Sequence, residues 1–292
     1  MKEELCQEIA RFVRESPSNR HPDDSGPYFG EPLVGFASAS DGLFEEYRTI
    51  VGAFHWTPRE VFEDAFGAGS PGQGTIIVWV LPVTEETRRS NRTQDRLPSL
   101  RWAHTRAYGE RFNAELRRHV VAFLAGRGHR AVAPQLSPKW RMLPETPVGI
   151  ASNWSERHAA YAAGLGTFSL NDALITPKGI AHRVGSVVTD LVVPPSARPY
   201  PERRHNCLFF REGTCGTCVT RCPAGALSEA GHDKAKCRQY VYGTVMEELG
   251  TALGVPEAGC GLCQTAVPCE SRIPKGKGDG SGGQGRAAHF SY

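Results

Sequence analysis

Apolar positions recur along this chain with periods that separate helices from strands. Between Lys2 and Glu15, Leu5, Ile9, Phe12 and Val13 fall on one face, which predicts a helix. Ser16 to Tyr28 is rich in Pro, Asp and Ser and reads as loop. The run L-V-G-F-A-S-A-S from Leu33 predicts a short strand or turn, and G-L-F-E-E-Y after it opens a helix. Glu60 to Phe66 predicts a short helix, followed by a glycine turn from Gly67 to Gly74. The unbroken apolar, β-branched run T-I-I-V-W-V-L-P-V, Thr75 to Val83, predicts a central strand. Thr84 to Ser99 is polar and is expected to be a surface loop. From Arg101 to Gly126, Tyr108, Phe112, Leu116, Val120, Phe123 and Leu124 recur at three and four and predict the longest helix. Arg106, Arg111, Arg117 and Arg118 lie between them and are expected on a solvated face rather than against phosphates. A strand is expected over 129–133 and a loop over 134–147.

The stretch Ser152 to Leu191 carries more punctuation. Ser152 or Asn153 is placed to cap a helix whose first turn holds Glu156; Ala159, Ala160, Ala162 and Ala163 permit close packing, and Gly164 ends it. A glycine-flanked turn follows, in which Gly164, Leu165, Gly166, Thr167, Ser169 and Asn171 offer backbone amides and small donors to a large polar ligand. A helix stop with a packing glycine explains the A-G-L-G run equally well.

The chemistry is concentrated between His205 and Pro274, where eight of the nine cysteines fall. Cys207, Cys215, Cys218 and Cys222 are followed by Pro223, then come Cys237 and the group Cys260, Cys263 and Cys269. A cysteine followed by proline is the punctuation of bacterial ferredoxins, in which that fourth Cys serves the other cluster. Eight thiolates suffice for two 4Fe-4S clusters. The interleaving allocates Cys207, Cys215, Cys218 and Cys269 to one, and Cys222, Cys237, Cys260 and Cys263 to the other. The first spacing departs from the usual run, because seven residues separate Cys207 from Cys215 and Glu212 stands at the expected position. Two four-cysteine zinc sites are the alternative metal reading, and disulfides are not expected where no secretory signal opens the chain. Cys6, on an apolar helical face, reads as a buried small hydrophobe.

Length and composition set the bounds. The 292 residues leave room for one substantial domain and a small one. A hydrophobic share of 40%, a charged share of 22% and the lack of any long apolar run fit a soluble cytoplasmic globule without membrane partners. A net charge of +3 neither demands nor forbids a nucleic-acid partner.

Several of these motifs together resemble the catalytic core of epoxyqueuosine reductase and the related reductive dehalogenases. The family pattern E-R-x-x-A-x-x-A-G-L-G falls on Glu156, Arg157, Ala160 and Ala163 to Gly166. Asn171, Leu174, Ile175, Gly179, Gly185 and Thr189 to Leu191 continue it, and the strand from Pro71 and the cysteine order complete it. The resemblance implies an α+β fold: a nitroreductase-like, cobalamin-binding catalytic domain over 1–200, then a ferredoxin-like module with two 4Fe-4S clusters over 201–274. It further implies base-off cobalamin, an external flavodoxin- or ferredoxin-like electron donor, and a small-molecule or modified-base substrate, with tRNA a further possibility. The cobalamin-binding D-x-H-x-x-G motif of other corrinoid proteins does not occur, as expected for this family.

Two departures accompany the resemblance. The family's proton-donating Asp would fall at Ile150 or Ala151, neither of which carries a proton, so Glu156, His158 and Tyr161 are the catalytic candidates. Full-length enzymes of this type continue into a helical-repeat domain implicated in tRNA binding, whereas here residues 275–292, with six glycines among the last eighteen residues, are expected to be a flexible tail of a truncated form. No twin-arginine export signal opens the chain, which argues against respiratory dehalogenation and for a cytoplasmic reductase. A ferredoxin-like carrier without corrinoid and a zinc-binding interaction protein are the alternatives.

Overall fold

The computed structural model describes residues 1–23, 25–68, 74–254 and 257–276. Its first two hundred residues form α1 (Lys2–Glu15), β1 (Leu33–Ser38), α2 (Leu43–Ile50), α3 (Pro58–Phe66), β2 (Thr75–Pro82), α4 (Glu85–Arg92), α5 (Leu100–Ala125), β3 (Ala131–Val132), β4 (Met142–Leu143), β5 (Ala151–Ser152), α6 (Glu156–Ala162), β6 (Thr167–Phe168), β7 (Leu174–Ile175) and β8 (His182–Thr189). Four of the strands make an antiparallel sheet in the order β1-β2-β8-β3. Every residue of β2 is buried. Strand period two explains how: Ile77, Trp79 and Leu81 meet α1 and α5 through Leu5, Ile9, Phe112 and Leu116, while Ile76, Val78 and Val80 meet α2, α3 and α6 through Phe44, Val61 and Ala160. An antiparallel strand covered on both faces therefore has the continuous apolar composition usual for parallel sheets.

Trp79 and Gly185 sit opposite one another across β2 and β8. A Cβ at Gly185 would lie 2.6 Å from the indole, so glycine makes room for the ring, whose Nε1 donates to Asn113 Oδ1 at 2.8 Å. Tryptophan is admitted to this core because its one donor is satisfied there.

Four expectations are corrected. The stretch from Thr84 is not a loop, since α4 occupies 85–92; its polar residues are held by ion pairs, Arg92 and Arg88 both reaching the buried carboxylate of Glu270. Arg117 does not lie on a solvated face: it is 1% exposed, paired with Glu110 and Glu156. The cap of α6 is Ser155 rather than Ser152 or Asn153, and Cys6 is only half-buried. Most of the predicted glycine turn, 69–73, and the tail from 277 onward lie outside the described residues.

The cysteine-bearing segment contains α7 (Leu208–Glu212), α8 (Thr217–Thr220), the hairpin of β9 (Leu227–Ser228) and β10 (Gly231–His232), α9 (Lys234–Gln239), a π-helical turn over 240–244, and α10 (Val245–Leu253). It docks on α5 through Val245 and Ala258 against Ala103 and Ala107. Near Cys269 the backbone joins the loop before β8, where the amide of Ile180 donates to the Cys269 carbonyl at 2.9 Å. Gly179 precedes that contact with φ of 84°, and a side chain there would strike the Glu270 backbone.

Candidate functional site

The eight clustered thiols form two groups. Cys207, at the start of α7, joins Cys215, Cys218 and Cys269 around one small apolar cavity walled by Leu170, Ile180 and Val267. Burial, reinforced by Cys207 and Cys215, pushes the Cys218 thiol up to about 11, and burial with the same neighbours raises Cys269 further. In the other group burial, reinforced by Cys237 and Cys222, pushes Cys260 up to about 11. Cys263 is raised well above the usual thiol range by burial, with Cys260, Cys237 and Cys222 adding to it. Cys263 also senses Cys218, so the two groups are neighbours.

All nine cysteines are free thiols. Among the described residues no group of three or more His, Cys, Asp or Glu converges on a point for a single metal ion. Four soft sulfur donors around a shared volume match the ligand chemistry of an iron-sulfur cluster, whose iron supplies the positive charge that buried thiolates require.

A second cavity, of about 400 Å³, opens between α2, α6 and the segments carrying β4–β5, Ser169 and Lys234. Its apolar wall includes Val51, Val148, Ile150, Ala151 and Phe168. Its polar lining is Tyr47, Ser155, Arg157, His158, Tyr161, Asp172, Arg203, Arg204 and Lys234. Ile150 and Ala151 thus stand on the wall where the sequence pattern lacks its acid.

His158 and Tyr161 line this cavity. His158 Nδ1 lies 2.8 Å from Ser155 Oγ, and its ring meets Tyr47 edge-on with centroids 4.6 Å apart. Burial, together with His55, Arg157 and Lys234, holds its pKa well below the ordinary histidine value, so it is a neutral imidazole at neutral pH. Glu156 points the other way, into the core, where it accepts from Ser186 Oγ and pairs with Arg117 at 3.2 Å. Burial raises its pKa above the carboxylate range in spite of that partner.

Of the glycine-flanked turn, Ser169 reaches the cavity wall, and the rest is used for packing. Gly164, with φ of 73°, lies against the Ala197 carbonyl, and Leu165 is buried against Gly35. An added Cβ on Gly166 would stand 2.5 Å from the Ile175 carbonyl. Thr167 Oγ1 accepts the amide of Asn206 at 2.8 Å, and the Asn171 side chain donates to the Cys263 carbonyl at 2.9 Å.

Sequence reasoning did not single out Arg157 as a cavity residue, nor Asp172, Arg203, Arg204 or Lys234. Asp172 is a non-glycine residue with φ of 62°, held in that shape as the Arg157 guanidinium donates to its carbonyl at 2.6 Å.

Comparison with known proteins follows the same line. No protein-family model matches the sequence. An epoxyqueuosine reductase from Bacillus anthracis is 32% identical over 119 residues, which is 39% of this chain and 29% of that protein. A selenomethionine-labelled epoxyqueuosine reductase structure superposes with a TM-score of 0.51 at 16% identity, over 94% of this chain and 69% of that one. One with an epoxyqueuosine-modified tRNA-Tyr stem loop gives 0.50 at 16%, over 94% and 67%. A B12-dependent reductive dehalogenase gives 0.51 at 17%, over 83% of this chain and 30% of its own. The chain therefore resembles epoxyqueuosine reductase in sequence and shares the mixed helix–strand fold of these reductases. Among the described residues no helix is long and apolar enough to cross a membrane.

Proposed function

We propose that this protein is a cytoplasmic reductase that carries two 4Fe-4S clusters and a corrinoid and reduces an organic substrate with electrons from an external flavodoxin- or ferredoxin-like donor. The first two hundred residues would form the nitroreductase-like catalytic domain and 201–274 the ferredoxin-like module. The observation that carries the reading is the join between the thiol groups and the large cavity. Lys234 lines that cavity on the same short helix as Cys237, and Asn171, beside the wall residues Ser169 and Asp172, holds the Cys263 carbonyl.

Cys207, Cys215, Cys218 and Cys269 would hold one cluster, and Cys222, Cys237, Cys260 and Cys263 the other. Support for a corrinoid comes from the mixed lining, apolar Val148, Ile150 and Phe168 beside donors and acceptors such as Ser155, Ser169 and Asp172 of the kind that bind peripheral amides. Bound there, a corrinoid supplies strongly reducing chemistry that no side chain can perform.

The chain's own residues would position substrate against the apolar wall, keep water from it and deliver a proton. Tyr161 and His158 are the cavity groups placed for that delivery; Glu156 is withdrawn to a structural role. A neutral imidazole whose Nδ1 is engaged by Ser155 has Nε2 to exchange a proton with substrate or with the Tyr161 hydroxyl. The resemblance to epoxyqueuosine reductase makes a modified base in tRNA one substrate to test beside small molecules.

Metal counting on protein purified without oxygen, followed by absorbance titration with a corrinoid, tests the proposal. About eight irons per chain and saturable corrinoid uptake are expected. Zinc in place of iron would overturn it in favour of an interaction protein, and iron without corrinoid uptake in favour of an electron carrier.

A further inference from the structure

The large cavity carries more positive than negative side chains. Its wall holds Arg157, Arg203, Arg204 and Lys234 against two carboxylates, Glu46 and Asp172. Asp172 is already engaged, at 3.3 Å from His232 and 3.8 Å from Lys234. Arg204 rests on the Phe210 ring with its guanidinium carbon 4.0 Å from the centroid. For Arg157 and Arg203 the described residues supply no carboxylate within ion-pair distance, although Arg157 gives one bond to the Asp172 carbonyl.

A guanidinium has five donors in a planar fork, so that single bond leaves most of Arg157 uncommitted. The Arg157 side chain is exposed to the cavity, where partial desolvation draws its pKa below the usual arginine value while the Asp172 carboxylate opposes that shift. Arginine forks with uncommitted donors on a cavity wall are ready partners for an anion's oxygens. The same cavity is lined by the Phe168 and Tyr161 rings, 5.9 Å apart between centroids, which offer an aromatic surface.

We propose that the cavity selects an organic anion, with its carboxylate or phosphate group taken by Arg157 and Arg203 and its flat apolar body laid on Phe168 and Tyr161. This deepens the reductase reading by assigning its substrate class, and it rests on that reading for the chemistry alone. The binding itself requires neither clusters nor corrinoid. Bidentate pairing of an arginine fork with a carboxylate or phosphate gives direction as well as attraction, so the acidic group would fix which end of the molecule faces the reacting side.

Calorimetric titration of the full chain with phenyl phosphate, benzoate and neutral benzyl alcohol at low salt tests the inference. At least one anionic probe should bind ten-fold or more tightly than the alcohol, and the advantage should shrink as salt is raised; which anion prevails distinguishes a phosphate from a carboxylate substrate. Arg203→Met, at an exposed position with no such tie to the backbone, should remove that advantage, and Arg157→Met should do the same if it folds. Equal binding of charged and neutral probes, or unchanged anion binding in Arg203→Met, would overturn it. Loss of corrinoid uptake in Arg203→Met would overturn it too, by giving these cations to the cofactor. Absence of corrinoid uptake in the unaltered protein, with anion selectivity intact, would sink the reductase reading and leave this one standing.

Discussion

Asn171 donates its side-chain amide to the carbonyl oxygen of Cys263 across 2.9 Å, while its own Oδ1 accepts from Ser169 Oγ at 2.6 Å and the Ala173 amide at 3.1 Å. One buried side chain thus ties the turn beside the large cavity to a thiol-bearing loop ninety-two positions later. Asn171→Ala leaves that carbonyl and the Ala173 amide unpaired in the interior, while Ser169 keeps the Ala173 carbonyl as acceptor, at about 1–3 kcal/mol for a buried polar group left without its partner. The urea midpoint should fall accordingly. Asn171→Asp should fare no better, because an oxygen then faces the Cys263 carbonyl; a variant as stable as the parent would show the tie to be dispensable.

Cys269→Ala tests the division of thiols. If Cys269 belongs with Cys207, Cys215 and Cys218, its removal should cost about half of the bound iron, that of one cluster lost whole. Cys6→Ala, far away on α1, should keep all of it. Unchanged iron in Cys269→Ala would refute the pairing.

The two-faced strand β2 and the long helix α5 were legible in the sequence because each has a local signature: a β-branched run and a helical stripe. Helix α4 was not. Its residues Glu85 to Arg92 have no apolar stripe, and what holds them is Glu270, far along the chain, which no window on the sequence contains. Arg117 misled for a related reason: an arginine within a helical stripe reads as solvated unless Glu110 and Glu156 are known to reach it. The cavity was illegible as a unit since Tyr47, Arg157, Arg203 and Lys234 come from four separate segments. The glycines after α6 were visible, but close approach to the Ala197 and Ile175 carbonyls uses them up, as the packing alternative had allowed.

Arg117 and Glu156 provide a separation of structure from chemistry. Arg117 is buried and Glu156 nearly so, and Arg117→Met leaves the Glu156 carboxylate without its cation, whereas Glu110 keeps Arg183. Removing one partner of a buried pair costs about 3–5 kcal/mol. Glu156→Gln keeps the shape and an acceptor for Ser186 and should cost less. The thermal midpoint should therefore drop far more in Arg117→Met than in Glu156→Gln, and Glu156→Gln should retain reductase turnover when assayed well below its midpoint. Lost turnover in a folded Glu156→Gln protein would return this carboxyl to the catalytic candidates.

Acid should unfold the protein through its buried histidines, of which His21 and His55 join His158 and His182 in having the pKa lowered by burial. His21 is enclosed by the Thr87 and Thr105 hydroxyls, each 3.4 Å from Nε2, and His55 accepts the Ser155 amide at 3.3 Å beside the Trp154 ring. Burial lowers each to about 4, with Arg101 adding to the effect at His21, whereas the unfolded chain titrates near 6.5. The unfolded state then binds more protons than the native state between those values. The stability due to neutral burial is complete above pH 6.5 and is lost as pH falls toward 4, at up to about 1.4 kcal/mol per pH unit for each histidine. Urea midpoints measured from pH 7 to 4.5 should decline across that window. His21→Gln should flatten the decline, because an amide retains a partner for the threonine hydroxyls and cannot take the proton; a slope identical to that of the parent would place the acid sensitivity elsewhere.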